Sequence, residues 1–246
     1  MSAWLEGRVV ENRHWTGTLF SLRVAAPRLA FEAGQFVRIA LDLGGERVAR
    51  PFSFVNPPED PVLEFYGVIV PGGPLSPRLA RLANGEALFV ADNPSGFLVL
   101  SELPPAEDLW LVATGTGIAP FLSILRTEAP WQRYRRVILV HGTRHAKELV
   151  YHDTVQAIGH AQGDRFISIK FTTREKAPDA LQGRIPAAIR DGRLEAAGAP
   201  ISAERSQFML CGNPDMLKDV AAALAERGLR KHRRRAPGQI TVESFW

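Results

Sequence analysis

The sequence predicts a two-domain β plus α/β protein: an antiparallel β-barrel followed by a parallel-sheet α/β unit. Three observations predict it. From Trp4 to about Val99, short β-branched and aromatic runs recur between Gly/Pro turns, the regular spacing of a barrel or sandwich. From Leu109 onward, continuous apolar runs alternate with helical segments, as in a parallel sheet covered on both faces. Between them lies a Pro- and acid-rich connector, Ser101-Glu-Leu-Pro-Pro-Ala-Glu-Asp108. The expected division is therefore 1–101 and 102–246.

In the first unit the expected strands are Gly7–Val10, Thr18–Val24, Gln35–Leu41, Phe52–Val55, Val62–Val70 and Ala87–Ala91, with a short helix over Pro77–Leu82. In the second, strand Leu109–Ala113 leads into helix Pro120–Thr127, and strand Val137–His141 into helix Glu148–Ile158. Phe166–Thr172, Ile185–Arg190 and Phe208–Cys211 continue the pattern into helix Pro214–Arg227. The chain closes on Ile240-Thr-Val-Glu-Ser-Phe-Trp246. Two aromatics after a β-branched strand either fill core or lie over a flat cofactor.

At 246 residues, with 46% hydrophobic and 23% charged, the chain has globular composition, which excludes extended disorder. One cysteine, Cys211, excludes an internal disulfide and an iron–sulfur cluster held by this chain alone, and points to a reduced compartment. The N-terminus carries Glu6 and Arg8 and lacks an apolar core of the signal-peptide kind. The longest uncharged run, Leu109 to Leu125, is shorter than the roughly 20 residues a spanning helix needs. A cytoplasmic monomer without membrane contact is expected. The net charge of +4 is local: Arg227–Arg235 holds six of the 30 cations and no acid, leaving 24 to face 26 acids elsewhere.

Several turns could carry chemistry. Ala113-Thr-Gly-Thr-Gly-Ile-Ala-Pro120 ends a strand in glycines and enters a helix with proline in its first turn, which either exposes N–H groups to a phosphate or lets helix and strand pack closely. Arg144, Arg174 and Arg184 follow strand ends in the same unit, where ligands of an open parallel sheet bind. Their planar forks suit a phosphate, and together they suggest NADP rather than NAD; singly, each is also an ordinary solvated charge. Arg50-Pro-Phe-Ser53 either offers a phosphate ligand, a ring and a hydroxyl to a heterocycle, or simply opens a strand. Val70-Pro-Gly-Gly-Pro-Leu-Ser76 and Cys211-Gly-Asn-Pro-Asp-Met216 repeat the turn-into-helix arrangement, with Asn213 placed to cap and Pro214 in the first turn. No metal-ligand cluster or hydrolase elbow competes with them.

Taken in order, Arg50-Pro-Phe-Ser, Gly73-Pro-Leu-Ser, Gly115-Thr-Gly-Ile-Ala-Pro, Cys211-Gly-Asn-Pro-Asp-Met and the terminal Val-Glu with two aromatics resemble the ferredoxin (flavodoxin)–NADP reductases of the compact bacterial type. The resemblance spans almost the entire chain. It implies an FAD-binding barrel and an NADP-binding α/β domain with the two cofactors meeting between them. Carried over residue by residue, it puts Arg50 on the FAD pyrophosphate, Pro51 and Phe52 beside it, Ser53 near flavin N5, and Tyr66 along the ring. Pro74, Leu75 and Ser76 would hold the FAD phosphates, and Thr116 would touch FAD. Thr143, Arg144, Thr173, Arg174 and Arg184 would hold the 2′-phosphate side of NADP, and Asn213, Pro214, Asp215 and Met216 would frame it. Cys211 would position the nicotinamide, and Ser53 and Glu243 would serve hydrogen bonding and proton relay. Phe245 would stack on the flavin, Trp246 would reach the adenine, and both would move for hydride transfer.

Two departures bear on this. Phe52 and Phe245 stand where the family usually has Tyr, so each loses one hydroxyl. A net hydrogen bond contributes about 0.5–1.5 kcal/mol, so FAD binding is expected to survive. The resemblance implies transfer between NADPH and ferredoxin or flavodoxin, acidic carriers that Arg230, Lys231, Arg233, Arg234 and Arg235 would steer. Two other readings stand beside it: a reductase component of an oxygenase system, and a nucleic-acid-binding protein using the basic run 227–235.

Overall fold

The computed structural model describes residues 3–244. The first half forms one six-stranded antiparallel sheet, ordered β4-β3-β6-β1-β2-β5. Its strands are β1 (Trp4–His14), β2 (Leu19–Ala25), β3 (Phe36–Leu43), β4 (Glu46–Ser53), β5 (Val62–Val68) and β6 (Ala87–Ala91). The sheet closes on itself just past β4, where Phe54 bridges Phe65 and the Val55 N–H donates to Glu64 O at 2.9 Å. Alternate residues such as Leu22, Val24, Val37, Ile39, Leu88 and Val90 fill the interior.

The expected strand Phe52–Val55 therefore begins earlier and belongs to a hairpin. Gly44 and Gly45 turn it at φ +61° and +86°, and Leu43 pairs with Glu46. Two consecutive positive φ values are what a two-residue hairpin loop of matching twist requires. A short helix, α1 (Ser76–Leu79), follows β5. Asn12 Nδ2 on β1 donates to the carbonyls of Leu79, Ala80 and Leu82, which fixes the end of α1.

The second half is a parallel sheet ordered β10-β9-β8-β7-β11-β12. Its strands are β7 (Asp108–Thr114), β8 (Arg136–Thr143), β9 (Phe166–Thr172), β10 (Leu181–Gln182), β11 (Ser206–Gly212) and β12 (Ile240–Ser244). Every residue of β11 is buried, as the continuous apolar runs predicted. The helices are α2 (Ala119–Leu125), α3 (Ala129–Arg133), α4 (His152–Gln162), α5 (Ile185–Arg190), α6 (Arg193–Ala197) and α7 (Pro214–Ala225). Among the described residues no helix is long and apolar enough to cross a membrane.

Helix α4 starts four residues later than expected. The Glu148 carboxylate accepts the N–H groups of Arg144 and His145, closing a local turn, and Tyr151 then takes the left-handed φ of 61° before the helix begins. Successive strands run outward from β7 through β8 and β9 to β10, and the chain then returns to place β11 on the other side of β7. The order reverses between β7 and β11, and the crevice outside their carboxyl ends is the place where open α/β sheets bind ligands.

The two sheets share one core. Val55, Tyr66, Leu98 and Leu100 lie in the same buried cluster as Leu111, Phe121, Leu122 and Met209. Across this seam Ser123 Oγ donates to Asn56 O at 2.7 Å, and Tyr151 OH donates to Glu64 Oε1 at 2.9 Å.

Candidate functional site

A cavity of about 360 Å3 opens at the seam. It is lined by Arg50, Pro51, Phe52 and Ser53 from β4, Tyr66 to Val68 from β5, Val70 and Gly73 to Ser76 from the following turn, and Thr116 from the second sheet. Its size suits a cofactor-sized ligand. The strand register explains the gathering. Ser53 pairs with Phe36, Phe54 bridges Phe65, and Tyr66 is the next residue on β5. Gly67 makes room for the ring of Phe52, because a Cβ there would lie 2.9 Å from Phe52 Cε1.

The polar atoms of this cavity are incompletely used by the protein. Ser53 Oγ and Tyr66 OH are buried and lack a hydrogen-bond partner among the described residues. Buried polar groups are nearly always paired, so two orphaned hydroxyls lining one cavity fit a ligand that carries hydrogen-bonding ring atoms beside an apolar face. Burial raises the Tyr66 phenol pKa far above neutrality, which keeps it a donor. Arg50 donates only to the neighbouring Ala49 carbonyl, at 2.7 Å, and its exposed guanidinium is available to an anion. Leu75 is buried, and Ser76 Oγ accepts the Val70 N–H at 2.9 Å, which holds the Pro74-Leu75-Ser76 turn against the cavity.

The crevice of the second sheet adjoins this cavity through Thr116. Gly117 allows a close approach of two backbones: a Cβ there would lie 2.5 Å from Cys211 O. Gly212, at φ +132°, packs equally tightly against Thr114. Cys211 pairs with Ala113 on one side and Glu243 on the other. Burial and the neighbouring Glu243 push the Cys211 thiol pKa well up, so it is a neutral packing group. Burial raises the Glu243 carboxyl to about 7 against the opposing pull of the Phe97 N–H. Its Oε2 is buried and unpartnered among the described residues.

The cationic residues cluster at the carboxyl ends of β8 to β10. The Thr173 N–H donates to Thr143 O at 3.1 Å and the Arg174 N–H to Arg144 O at 3.0 Å. The Gly183 N–H donates to Thr172 O, which brings Arg184, the residue before α5, to the same edge. Arg144, Arg174 and Arg184 are exposed, and none forms an ion pair among the described residues, where the salt bridges engage other cations. Three exposed guanidinium groups without ion pairs on this edge have the donor chemistry that a phosphate requires.

Asn213 caps α7, its Oδ1 accepting the N–H groups of Asp215 and Met216 at 3.0 and 3.2 Å. It thus shapes the rim with Pro214, and these donors are used within the chain. Phe245 and Trp246 lie outside the described residues. The basic run is less free than its sequence suggests: Arg234 pairs with Glu102 and Arg227 with Glu195.

Some contributors had no local signal in the sequence. Gly67, Val68 and Val70 line the cavity because the end of β5 and the residues after it run along its wall. Buried His141 stands 3.0 Å from Gly115 O through Nε2 and steadies the glycine turn. Burial lowers its pKa to about 4, so the ring is neutral, and the carbonyl acceptor assigns the proton to Nε2.

Comparison with known proteins agrees with this geometry. The family described as oxidoreductase NAD-binding domain matches residues 111–222. The chain is 46% identical over 248 residues to the flavodoxin/ferredoxin–NADP reductase of Shigella flexneri and 45% identical to that of Escherichia coli (strain K12), in each case covering 100% of both chains. A crystal structure of a ferredoxin NADP+ reductase from Neisseria gonorrhoeae with bound FAD and NADP superposes with a TM-score of 0.94 at 33% identity, covering 99% of each chain. The barrel with its hydroxyl-lined cavity, the parallel sheet with its arginine edge and this end-to-end identity lead to one conclusion: the chain belongs to the flavodoxin/ferredoxin–NADP reductase family.

Proposed function

We propose that this protein binds FAD in the seam cavity and NADP(H) at the arginine-lined edge of the parallel sheet, and passes electrons between NADPH and a ferredoxin or flavodoxin. The observation that carries the reading is the convergence at one seam of the cavity with its orphaned hydroxyls, the Cys211–Glu243 pair and the adjoining crevice. In this reading residues 1–101 hold FAD and residues 102–246 hold NADP(H). When bound, FAD supplies a centre that exchanges a hydride with nicotinamide and single electrons with a carrier.

The chain's own residues supply binding, alignment and proton handling. Arg50 meets the FAD pyrophosphate, and the Pro74-Leu75-Ser76 turn holds the adjoining phosphate. Ser53 and Tyr66 offer their unpartnered hydroxyls to the ring, while Phe52 and Val68 exclude water from its face. The phenyl ring of Phe52 covers without donating, so retention of FAD rests on Ser53, Tyr66 and the phosphate turn. Thr143, Arg144, Thr173, Arg174 and Arg184 hold the 2′-phosphate side of NADP(H). Asn213, Pro214, Asp215 and Met216 frame the dinucleotide. Cys211, neutral and buried between Ala113 and Glu243, positions the nicotinamide by fixing the strand end behind it. Glu243 holds or releases a proton near pH 7.

Anaerobic mixing of the yellow protein with NADPH or NADH, followed by ferredoxin or flavodoxin, tests the reading. Flavin bleaching by NADPH and reduction of at least one carrier are expected. Reduction of neither carrier would leave the oxygenase-component reading in its place. Arg144→Glu and Arg174→Glu should each weaken NADPH by roughly tenfold or more, the effect of losing a charge-assisted phosphate contact, and NADH much less. Equal losses for both dinucleotides would show that these arginines do not hold the 2′-phosphate.

A further inference from the structure

We propose that Phe97 is the apolar anchor of the surface on which the acidic electron carrier docks, and that its loop connects that surface directly to Glu243. The inference rests on the reductase reading above. Phe97 is 65% exposed, more than the other exposed large hydrophobic side chains among the described residues, Val10, Val70 and Val242. A lone exposed apolar side chain is ordinary, so its position must carry the argument.

Position is what distinguishes it. Phe36 pairs with Ser53 on β4 and also exchanges backbone hydrogen bonds of 2.9 Å with Ser95. Phe97 is thus two residues beyond the point where its loop joins the strand neighbouring Ser53. Gly96 turns the loop at φ +118°, and a Cβ there would lie 3.0 Å from Glu243 Oε1 and 3.1 Å from the Phe36 ring. The backbone N–H of Phe97 favours the ionised form of the Glu243 carboxyl, against the burial that raises it. A protein that presses on Phe97 therefore presses on the loop that packs against Glu243 through Gly96, beside the groups assigned above to the ring of FAD. One-electron transfer needs the carrier close to that ring, and the Phe97 loop pairs with the strand that carries Phe36, the partner of Ser53.

The surroundings specify the partner's chemistry. The Arg234 guanidinium carbon lies 4.8 Å from the Phe97 ring centroid. Two hydrogen bonds to Glu102, of 2.6 and 3.0 Å, fix that guanidinium in place. The result is an exposed aromatic–arginine pair whose cation is engaged by a carboxylate. Arg233 and Arg235 flank Arg234 and form no ion pair among the described residues. An apolar spot beside fixed and free cations fits a partner that presents an apolar patch ringed by carboxylates. Aromatic and arginine side chains are the usual anchors of such contacts, while the free charges set the encounter rate.

Phe97→Ala and Phe97→Glu in the FAD-loaded protein test this. The dissociation constant for oxidised ferredoxin or flavodoxin, measured by titration calorimetry, should rise roughly fivefold to tenfold in Phe97→Ala and further in Phe97→Glu. The second-order rate of carrier reduction should fall in step, whereas NADPH-driven ferricyanide reduction, FAD content and thermal midpoint should stay at wild-type values. Unchanged carrier affinity and rate in both variants would overturn the inference. Loss of FAD or of ferricyanide reduction would overturn it too, by placing Phe97 in the cofactor pocket. A wild-type protein that binds neither carrier would overturn the reductase reading itself, and the docking inference with it.

Discussion

Glu243 shows how one carboxyl is tuned by a loop far away in sequence. Burial raises it from 4.5 to about 7, against the single Phe97 N–H that favours the ionised form. Between those two values the folded protein keeps a proton that the unfolded chain has released. Its contribution to stability is therefore full below about pH 4.5 and is lost as pH rises through 7. Glu243→Gln removes the titration. The variant should be more stable than wild type at pH 8 by about 1–3 kcal/mol, and the advantage should shrink at pH 5. Urea denaturation at the two pH values measures this, and parallel changes in both proteins would show that Glu243 ionises freely. Ser53, Cys211 and Glu243 were legible as candidates because each stands in a short ordered motif. Gly96, Phe97 and His141 were not, because their significance comes from an approach across the fold: Phe97 to Glu243, and His141 to the Gly115 carbonyl.

At the scale of elements, the strands of the parallel sheet were the easiest to read, since burial on both faces leaves unbroken apolar runs such as Leu109–Ala113. The edge strand β4 was harder. Glu46, Arg47 and Arg50 are exposed there, and such charges at an edge mask the alternation that marks a strand. Helix α4 was misplaced because a side-chain carboxylate, Glu148, builds a turn that propensity alone does not reveal. The glycine turn after β7 reads equally from the sequence as a phosphate cradle or a packing device, and in the fold it serves close packing at Gly117 while bringing Thr116 to the cavity. Gly117→Ala tests that dual role. The added methyl would meet the backbone of Cys211, which has no flexible end to move, so the carboxyl ends of β7 and β11 must part. A loss of about 1–3 kcal/mol in urea denaturation is expected, together with weaker FAD retention. Wild-type stability with wild-type FAD retention would mean that the turn relaxes without disturbing the cavity.

For the whole molecule, the sequence marked a connector at Ser101–Asp108 but carried no sign of how firmly the flanking units join. The structure joins them through a continuous core and polar ties across the seam. Ser123 donates to the Asn56 carbonyl, Tyr151 to Glu64, and Arg126 reaches Glu64 at 3.3 Å and Asp60 at 3.6 Å. Each tie leaves a buried or half-buried group unsatisfied if it is broken, so opening the seam costs both apolar burial and hydrogen bonds. This matters for function because the proposed FAD cavity is completed by Thr116 from the second sheet, and a hinge here would change its shape. The seam should therefore open only on global unfolding. Far-ultraviolet ellipticity and tryptophan fluorescence should report one shared transition in urea, since Trp4 and Trp15 lie in the barrel and Trp110 and Trp131 in the other sheet and its helices. Tyr151→Phe removes the hydroxyl that meets the Glu64 carboxylate. It should lower stability by about 1.5–3 kcal/mol, the cost of losing a hydrogen bond to a charged group, without splitting that transition. Two separated transitions in the wild-type protein would mean that the shared core does not bind the halves into one cooperative unit, and that the FAD cavity can open while both sheets stay folded.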